Sequence, residues 1–254
     1  MTTAAKKQDA LGLVRNSRVN LAEQTSTQLR EALMAGRFWP GQRLRIRELS
    51  KAMGVSDTPV REAIMQLVQD GGLEMKPGQA INVVKPSLAR YLELREIRFL
   101  LEGLATAKAT ATITRTQLSE LGRLHQELVD AQRDGMHETA TIANYKFHFL
   151  IYRASQSVDL VTILESCWLR NGPLLKLLYP HAPPTYAGDH QHLNIIKAIR
   201  KRDADAASAA IRNDIVEGGA KLVTLLRDIE DGRAAIIEGP DGKLRLEFRN
   251  WAAA

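Results

Sequence analysis

The chain has 254 residues, 44% apolar and 25% charged, with a net charge of +6 and one cysteine, Cys167. These values suit one or two globular domains and exclude a disulfide framework, and no apolar run approaches the ~18 residues that a membrane span requires. The charge is uneven: up to Pro86 there are 13 Lys and Arg against 8 Asp and Glu, and beyond it 22 against 21.

A basic first third joined to a neutral remainder implies a head that meets a polyanion and a body with another task. The opening MTTAAKKQDA carries no secretory pattern, so a reducing, cytoplasmic setting is expected.

Residues 1–20 show no apolar period and read as a flexible arm. Leu21, Thr25, Leu29, Ala32 and Leu33 recur at helical spacing, and Gly36 ends that helix. Trp39-Pro40-Gly41 is a turn and Gln42 to Ile46 is extended. Arg47 to Met53 forms a second helix, stopped at Gly54. A third follows Val55-Ser56-Asp57, with Thr58 as N-cap and Pro59 at the first helical position. It runs to about Asp70. Leu73 to Lys76 and Ala80 to Val84 flank Pro77-Gly78-Gln79 as a small hairpin. Lys85-Pro86 then breaks the chain, so residues 21–85 form one unit.

From 87 to 230 the pattern is all-helical. Six helices are expected, roughly at 87–110, 115–134, 137–156, 158–179, 186–202 and 204–229, with a kink at Gly172-Pro173. Leu92, Leu100, Leu101 and Leu104, and then Leu118, Leu121, Leu124 and Leu128, supply the apolar stripes of a bundle. Residues 231–254 change character: Ala234 to Ile237 and Leu244 to Phe248 flank Gly239-Pro240-Asp241-Gly242 as a hairpin. The fold class is mainly α: an N-terminal winged helix-turn-helix of three helices plus a β-hairpin, followed by an all-α six-helix bundle.

Such a head lays its third helix in the major groove of DNA, with the hairpin reaching the adjacent backbone. Ser56 and Thr58 stand where hydroxyls and free N–H groups meet phosphate. Arg61, one turn further, reaches a base edge, guanine by preference. Arg45, Arg47, Lys76 and the backbone of Gly78 are candidate phosphate contacts. Surface pairing of Arg61 with Asp57 or Glu62 is the plain alternative.

As an ordered set, LREALMAG (Leu29–Gly36), PGQRL (Pro40–Leu44), ELSKAMGVS (Glu48–Ser56) and TPVREAI (Thr58–Ile64), with the wing around Pro77-Gly78, resemble the head of the GntR family of bacterial regulators. The resemblance implies DNA contact by Arg47, Ser56, Thr58, Arg61 and Gly78. Asp57 departs from it: many members carry arginine there, and a carboxylate repels phosphate or accepts a proton from a base such as cytosine.

The body resembles the FCD effector domain of the fatty-acid-regulator subfamily through LREIRFLLEGLA (Leu94–Ala105), NYKFHFLIYRAS (Asn144–Ser155) and HLNIIKAIRKRDADAA (His192–Ala207). That resemblance implies a divalent ion at Asn144, His148, His192 and Asp214, where the family usually has one aspartate and three histidines. Asn144 and His148 share a helical face, and the donor types suit zinc, nickel or manganese. Hydrogen bonding among these residues without metal is the alternative.

Arg98, with Asn144, His148 and His192, is the expected effector contact, since a guanidinium binds a small carboxylate bidentately; an internal Arg98–Glu102 bridge is equally open. His190 is expected to face solvent, and His125, His137 and His181 to be surface residues. The whole reads as a regulator, by default a repressor and a homodimer on a near-palindromic operator, under control of a small-molecule effector. A metal-dependent enzyme on the bundle is the alternative; the body lacks Glu-x-x-His, a Gly-x-Ser-x-Gly elbow and a phosphate loop. A constitutive DNA-architectural protein is a third class, but it would not need buried polar groups in its body.

Overall fold

The computed structural model describes residues 19–75 and 80–249. The expected arm, Lys76 and Gly78 of the wing, and residues 250–254 therefore lie outside the described residues, apart from Val19 and Asn20, which begin the first helix.

The head consists of α1 (Val19–Met34), β1 (Arg43–Leu44), α2 (Ile46–Met53), α3 (Asp57–Gln69), β2 (Leu73–Met75) and β3 (Ile81–Val83). The strands form one antiparallel sheet in the order β1-β3-β2, with Arg43 opposite Asn82 and Leu73 opposite Val83. Val60, Ile64 and Leu67 give α3 a buried stripe against Leu29 and Leu33 of α1. Each such side chain contributes about 1.5–3 kcal/mol on burial. Gly54 ends α2 at φ 67, a left-handed cap that glycine adopts without Cβ strain, and so sets the tight turn into α3.

One boundary differs from the sequence reading. Ser56, not Thr58, is the N-cap residue of α3, with extended φ −73 and ψ 167. Asp57 takes the first helical position because its carboxylate favours a helix N-terminus and accepts a 2.7 Å hydrogen bond from Ser50 Oγ of α2.

The body follows as α4 (Leu88–Thr112), α5 (Arg115–Arg133), α6 (His137–Ala154), α7 (Val158–Asn171), a 3₁₀ turn (Gly172–Leu174), α8 (Leu175–Leu178), α9 (Gln191–Arg200), α10 (Ala204–Gly218) and α11 (Ala220–Glu230). Thr114 and Gln117 start α5 with a reciprocal capping box, and the Asp203 side chain caps α10. α10 lies along α4 and α9, and α5 lies along α6 and α9. Trp168, Tyr152, Phe147 and Phe149 fill the centre.

The expected fourth helix breaks at Gly172-Pro173, as the proline demands. The sixth divides at Gly219 into α10 and α11, and the fifth starts only at Gln191. Leu100 and Leu104, expected in the core, are 61% and 47% exposed, because α4 turns its Arg98, Glu102 and Ala105 face inward instead.

Head and body touch. Gly172 packs so closely on α1 that a Cβ there would lie 2.2 Å from Leu33 O. Arg170 Nε donates to Asp70 O at 3.1 Å, and Arg30 pairs with the Asp70 carboxylate. Beyond α11, β4 (Ala234–Glu238) and β5 (Leu244–Phe248) form the antiparallel hairpin expected in the tail.

Candidate functional site

Two surfaces carry the candidate residues. On the head, Arg45, Arg47, Ser56, Asp57, Thr58 and Arg61 are all exposed around the N-terminal end of α3. Ser56 makes no side-chain cap bond, so its hydroxyl and the first-turn N–H groups of α3 are available to an anion. Arg45 Nη1 pairs with Glu48 at 2.9 Å. Among the described residues Arg61 forms no ion pair with Asp57 or Glu62, so its charge is free for an outside partner.

The second surface is a cleft in the body, lined by Tyr91, Arg98, Asn144, His148, Trp168, Asn171, Tyr186, His190 and Asp214 together with apolar residues of α8, α10 and α11. Its interior is small, about 50 Å³, and opens to solvent. That restricts an occupant to a compact molecule or an ion with one.

At its floor the packing of α6, α9 and α10 brings together His148, His192 and Asp214, far apart in sequence. His148 Nε2 lies 3.3 Å from Asp214 Oδ2, and His192 Nε2 lies 4.0 Å from the same oxygen. Donor atoms of all three lie within 4.8 Å of one another. Asn144, one turn before His148, stands half-buried in the wall.

The protonation pattern is informative. Glu102 is fully buried; its Oε1 accepts from Arg98 Nε at 2.6 Å and from Trp168 Nε1 at 2.8 Å, and its Oε2 accepts from Tyr152 Oη. Tyr152 thus gives its only proton to Glu102. His148 Nδ1, 3.0 Å from Tyr152 Oη, has to be the donor in that contact. Its Nε2 faces the Asp214 carboxylate, where a proton on the ring or a divalent ion between the two satisfies both groups. Glu102, Tyr152 and His148 form an outer chain of the kind that fixes the orientation of a metal-ligating imidazole.

His192 is wholly buried, stacked on Phe147 at 3.7 Å between ring centroids, and neither of its ring nitrogens has a hydrogen-bond partner. Burial pushes its imidazole well below the ordinary value, against the attraction of Asp214. For Asp214, burial opposes the charge, but a hydrogen bond from His148 and the surrounding imidazoles outweigh it, and the carboxyl is held far below its usual range. A neutral imidazole with free lone pairs beside an ionised carboxylate fits a divalent transition ion. Such an ion would be held by His148, His192 and Asp214.

Arg98 forms the internal bridge to Glu102 and also lines the cleft. Its Nε is committed to Glu102, while its guanidinium lies 4.9 Å over the Trp168 ring and lines the cleft. Asn171, Tyr186 and His190 are among the cleft residues that the sequence reading did not place there. Asn171 Oδ1 is buried without a partner; the signal was a lone amide just before Gly172-Pro173. Tyr186 donates to Asp214 Oδ1 at 2.8 Å, from a loop with no periodic signal. His190 is half-buried rather than solvent-facing, 4.5 Å from both Tyr186 and His192 between ring centroids. His125 is likewise not a surface residue; at 8% exposure it is buried under α9 because α5 packs there. His137 and His181 are half-buried.

Comparison with known proteins matches residues 21–83 to the bacterial regulatory proteins of the gntR family and residues 93–217 to the FCD domain. The HTH-type transcriptional regulator McbR of Escherichia coli K12 is 34% identical over 190 residues, covering 74% of this chain and 86% of that protein. The HTH-type transcriptional repressor RspR of the same organism is 27% identical over 179 residues, 70% of this chain and 78% of RspR. The solved structure of E. coli McbR/YncC superimposes with a TM-score of 0.74 at 30% identity, over 82% of this chain and 99% of that one. A GntR regulator from Rhodococcus sp. RHA1 shares the fold, with a TM-score of 0.64 at 19% identity over 80% and 97% of the two chains. With a winged head that exposes Arg45, Arg47 and Arg61 and a polar cleft inside a helical body, this chain belongs to the GntR family: it is a transcriptional regulator with a DNA-binding head and an FCD domain behind it.

Proposed function

We propose that this regulator represses transcription as a homodimer on a near-palindromic operator, and that a small carboxylate-bearing metabolite in the body cleft sets its affinity for that operator. One observation carries the effector reading. Arg98, the orphaned Asn171 Oδ1, His148 and Asp214 line a single cleft, and His192 lies buried beside Asp214. Buried unsatisfied polar groups cost about 1–3 kcal/mol each, so a ligand that engages them binds with both affinity and selectivity.

A divalent ion at His148, His192 and Asp214, with Asn144 as a neutral oxygen donor, supplies positive charge for the metabolite's carboxylate when bound. Arg98 orients the same group from the opposite chemistry, as a fixed planar donor. Asn171 and Tyr186 fix what else fits. The repressor assignment follows the relative RspR, a transcriptional repressor. The dimer reading is supported by α4, which leaves Ile97, Leu100 and Leu104 exposed by 40%, 61% and 47% at helical spacing on one face. Two bodies joined there would present two heads to two half-sites. An effector that binds one head arrangement better than the other shifts the population by its differential affinity.

The test is a thermal-shift screen of small mono- and dicarboxylates against zinc-, nickel- and manganese-loaded protein, followed by operator binding with each hit. The reading expects a hit that raises the melting temperature of the wild type, not of Arg98→Ala, and releases DNA. A metabolite that stabilises both proteins alike and leaves DNA binding unchanged refutes it.

A further inference from the structure

Two histidines stand beside the expected ligand set and are not part of it. His125 on α5 and His190 at the N-cap of α9 face His192, with ring centroids 5.6 Å and 4.5 Å from it and 5.0 Å from each other. Donor atoms of the three lie within 4.8 Å of one another, as close as in the His148–His192–Asp214 set. Three imidazoles do not gather in a partly buried space without cost. His125 Nδ1 is buried with no hydrogen-bond partner, and so are both nitrogens of His192. His190 Nδ1 has only a 3.2 Å contact from the His192 amide, a first-turn N–H of α9.

We propose that His125, His190 and His192 form a binding site of their own for a late transition ion such as zinc, competent without His148 and Asp214. The inference rests on the reading of the body as a metal-dependent sensor and adds to it a second position for the ion. Three imidazole nitrogens are the donor type that zinc, nickel and copper take in preference to magnesium or calcium. Zinc–imidazole bonds of ~2.0–2.1 Å set tetrahedral nitrogens ~3.3 Å apart, so donors already within 4.8 Å of one another need only a modest closure. His190 is half-buried at the N-cap of α9, and His192 is stacked on Phe147. Zinc on His190 Nδ1 replaces the long contact from the His192 amide. Because both sets use His192, one ion per chain occupies one set or the other.

The experiment uses the full chain without a histidine tag and zinc alone as the probe. His148→Gln/Asp214→Asn removes the family-type set with little change of shape, and circular-dichroism melts verify that each variant is folded. Calorimetric titration of this double variant is expected to show about one zinc per chain. Adding His125→Ala or His190→Ala is expected to weaken that binding by more than about tenfold. The converse variant, His125→Ala/His190→Ala with His148 and Asp214 intact, reports on the family-type set separately. Zinc binding by the converse variant but not by His148→Gln/Asp214→Asn overturns the inference and leaves the metal-sensor reading standing. Zinc binding by His148→Gln/Asp214→Asn that is indifferent to His125 and His190 also overturns the inference. Failure of every variant and of the wild type to bind zinc overturns both.

Discussion

Replacing Glu102 by glutamine tests whether the buried network beneath the cleft is held by charge. Glu102 is 0% exposed and is the only carboxylate that pairs with Arg98 among the described residues, itself 7% exposed. Burial disfavours the Arg98 charge, but Glu102 beside it holds the guanidinium firmly protonated. Glutamine keeps the shape and removes the counter-charge. Its single carbonyl oxygen cannot serve Arg98, Trp168 and Tyr152 together, so a charged group is left buried and uncompensated. Breaking such a pair costs about 3–5 kcal/mol. At roughly 2–4 °C per kcal/mol for a domain of this size, the melting temperature should fall by roughly 6–20 °C. Arg98→Met/Glu102→Gln removes both charges and leaves the glutamine carbonyl oxygen to accept from Trp168 and Tyr152, so it should recover part of that loss. Thermal melts followed by far-UV circular dichroism measure both. A Glu102→Gln loss below about 1 kcal/mol, or a double variant less stable than the single one, would refute the assignment of Glu102 as the counter-charge of Arg98.

Arg61→Ala should weaken specific operator binding by about 1–3 kcal/mol per subunit and relax one base position, while Arg47→Ala should weaken all sequences alike and flatten the salt dependence; fluorescence anisotropy at several salt concentrations separates them. Asp57→Arg should tighten DNA binding at low salt with a gain that fades as salt rises, and should leave the head's stability nearly unchanged because Ser50 Oγ keeps Ile46 O as an acceptor. Weaker binding to the operator alone would instead make Asp57 a base-reading residue. Gly172→Ala should destabilise by about 1–3 kcal/mol in a denaturant melt, since its methyl group would meet backbone atoms of α1, Leu33 O at 2.2 Å and Met34 Cα at 2.6 Å, that cannot yield. Gly122→Ala, with nothing within 4 Å inside α5, should stabilise by up to about 1 kcal/mol and serves as the control.

The fold was legible where a local rule has no competitor. Gly54, the Gly172-Pro173 break and the alternation around Gly239 to Gly242 each set backbone conformation through one or two residues. Helix starts were less legible: Thr58 and Ser56 are both good caps, and the choice fell to the contact between Asp57 and Ser50, which no spacing rule reports. On α4, periodicity marks two apolar faces, and only packing decides that Arg98 and Glu102 turn inward while Leu100 and Leu104 face out. The pair is buried because Trp168 and Tyr152, from two other helices, complete its hydrogen bonds. For the candidate site, His148, His192 and Asp214 followed from motif resemblance and do converge. Nothing in the sequence near His125 ties it to His192, since that proximity comes from α5 packing under the N-terminus of α9, whereas His190 is two residues from His192 and the N-cap of α9 turns its ring inward. Asn171 was hidden for the same reason: a single polar residue acquires meaning only from the cleft it lines.

The central claim is that the head reads DNA while the body cleft only modulates it. Selection of binding sites from a random pool of double-stranded DNA, run in parallel with wild type, Arg61→Ala and His148→Ala at one fixed salt concentration, tests that division most directly. The account predicts that the wild type enriches a near-palindromic motif, that His148→Ala enriches the same motif, and that Arg61→Ala loses or blurs it. Enrichment of no motif by the wild type, or loss of the motif in His148→Ala with Arg61→Ala unaffected, would contradict it.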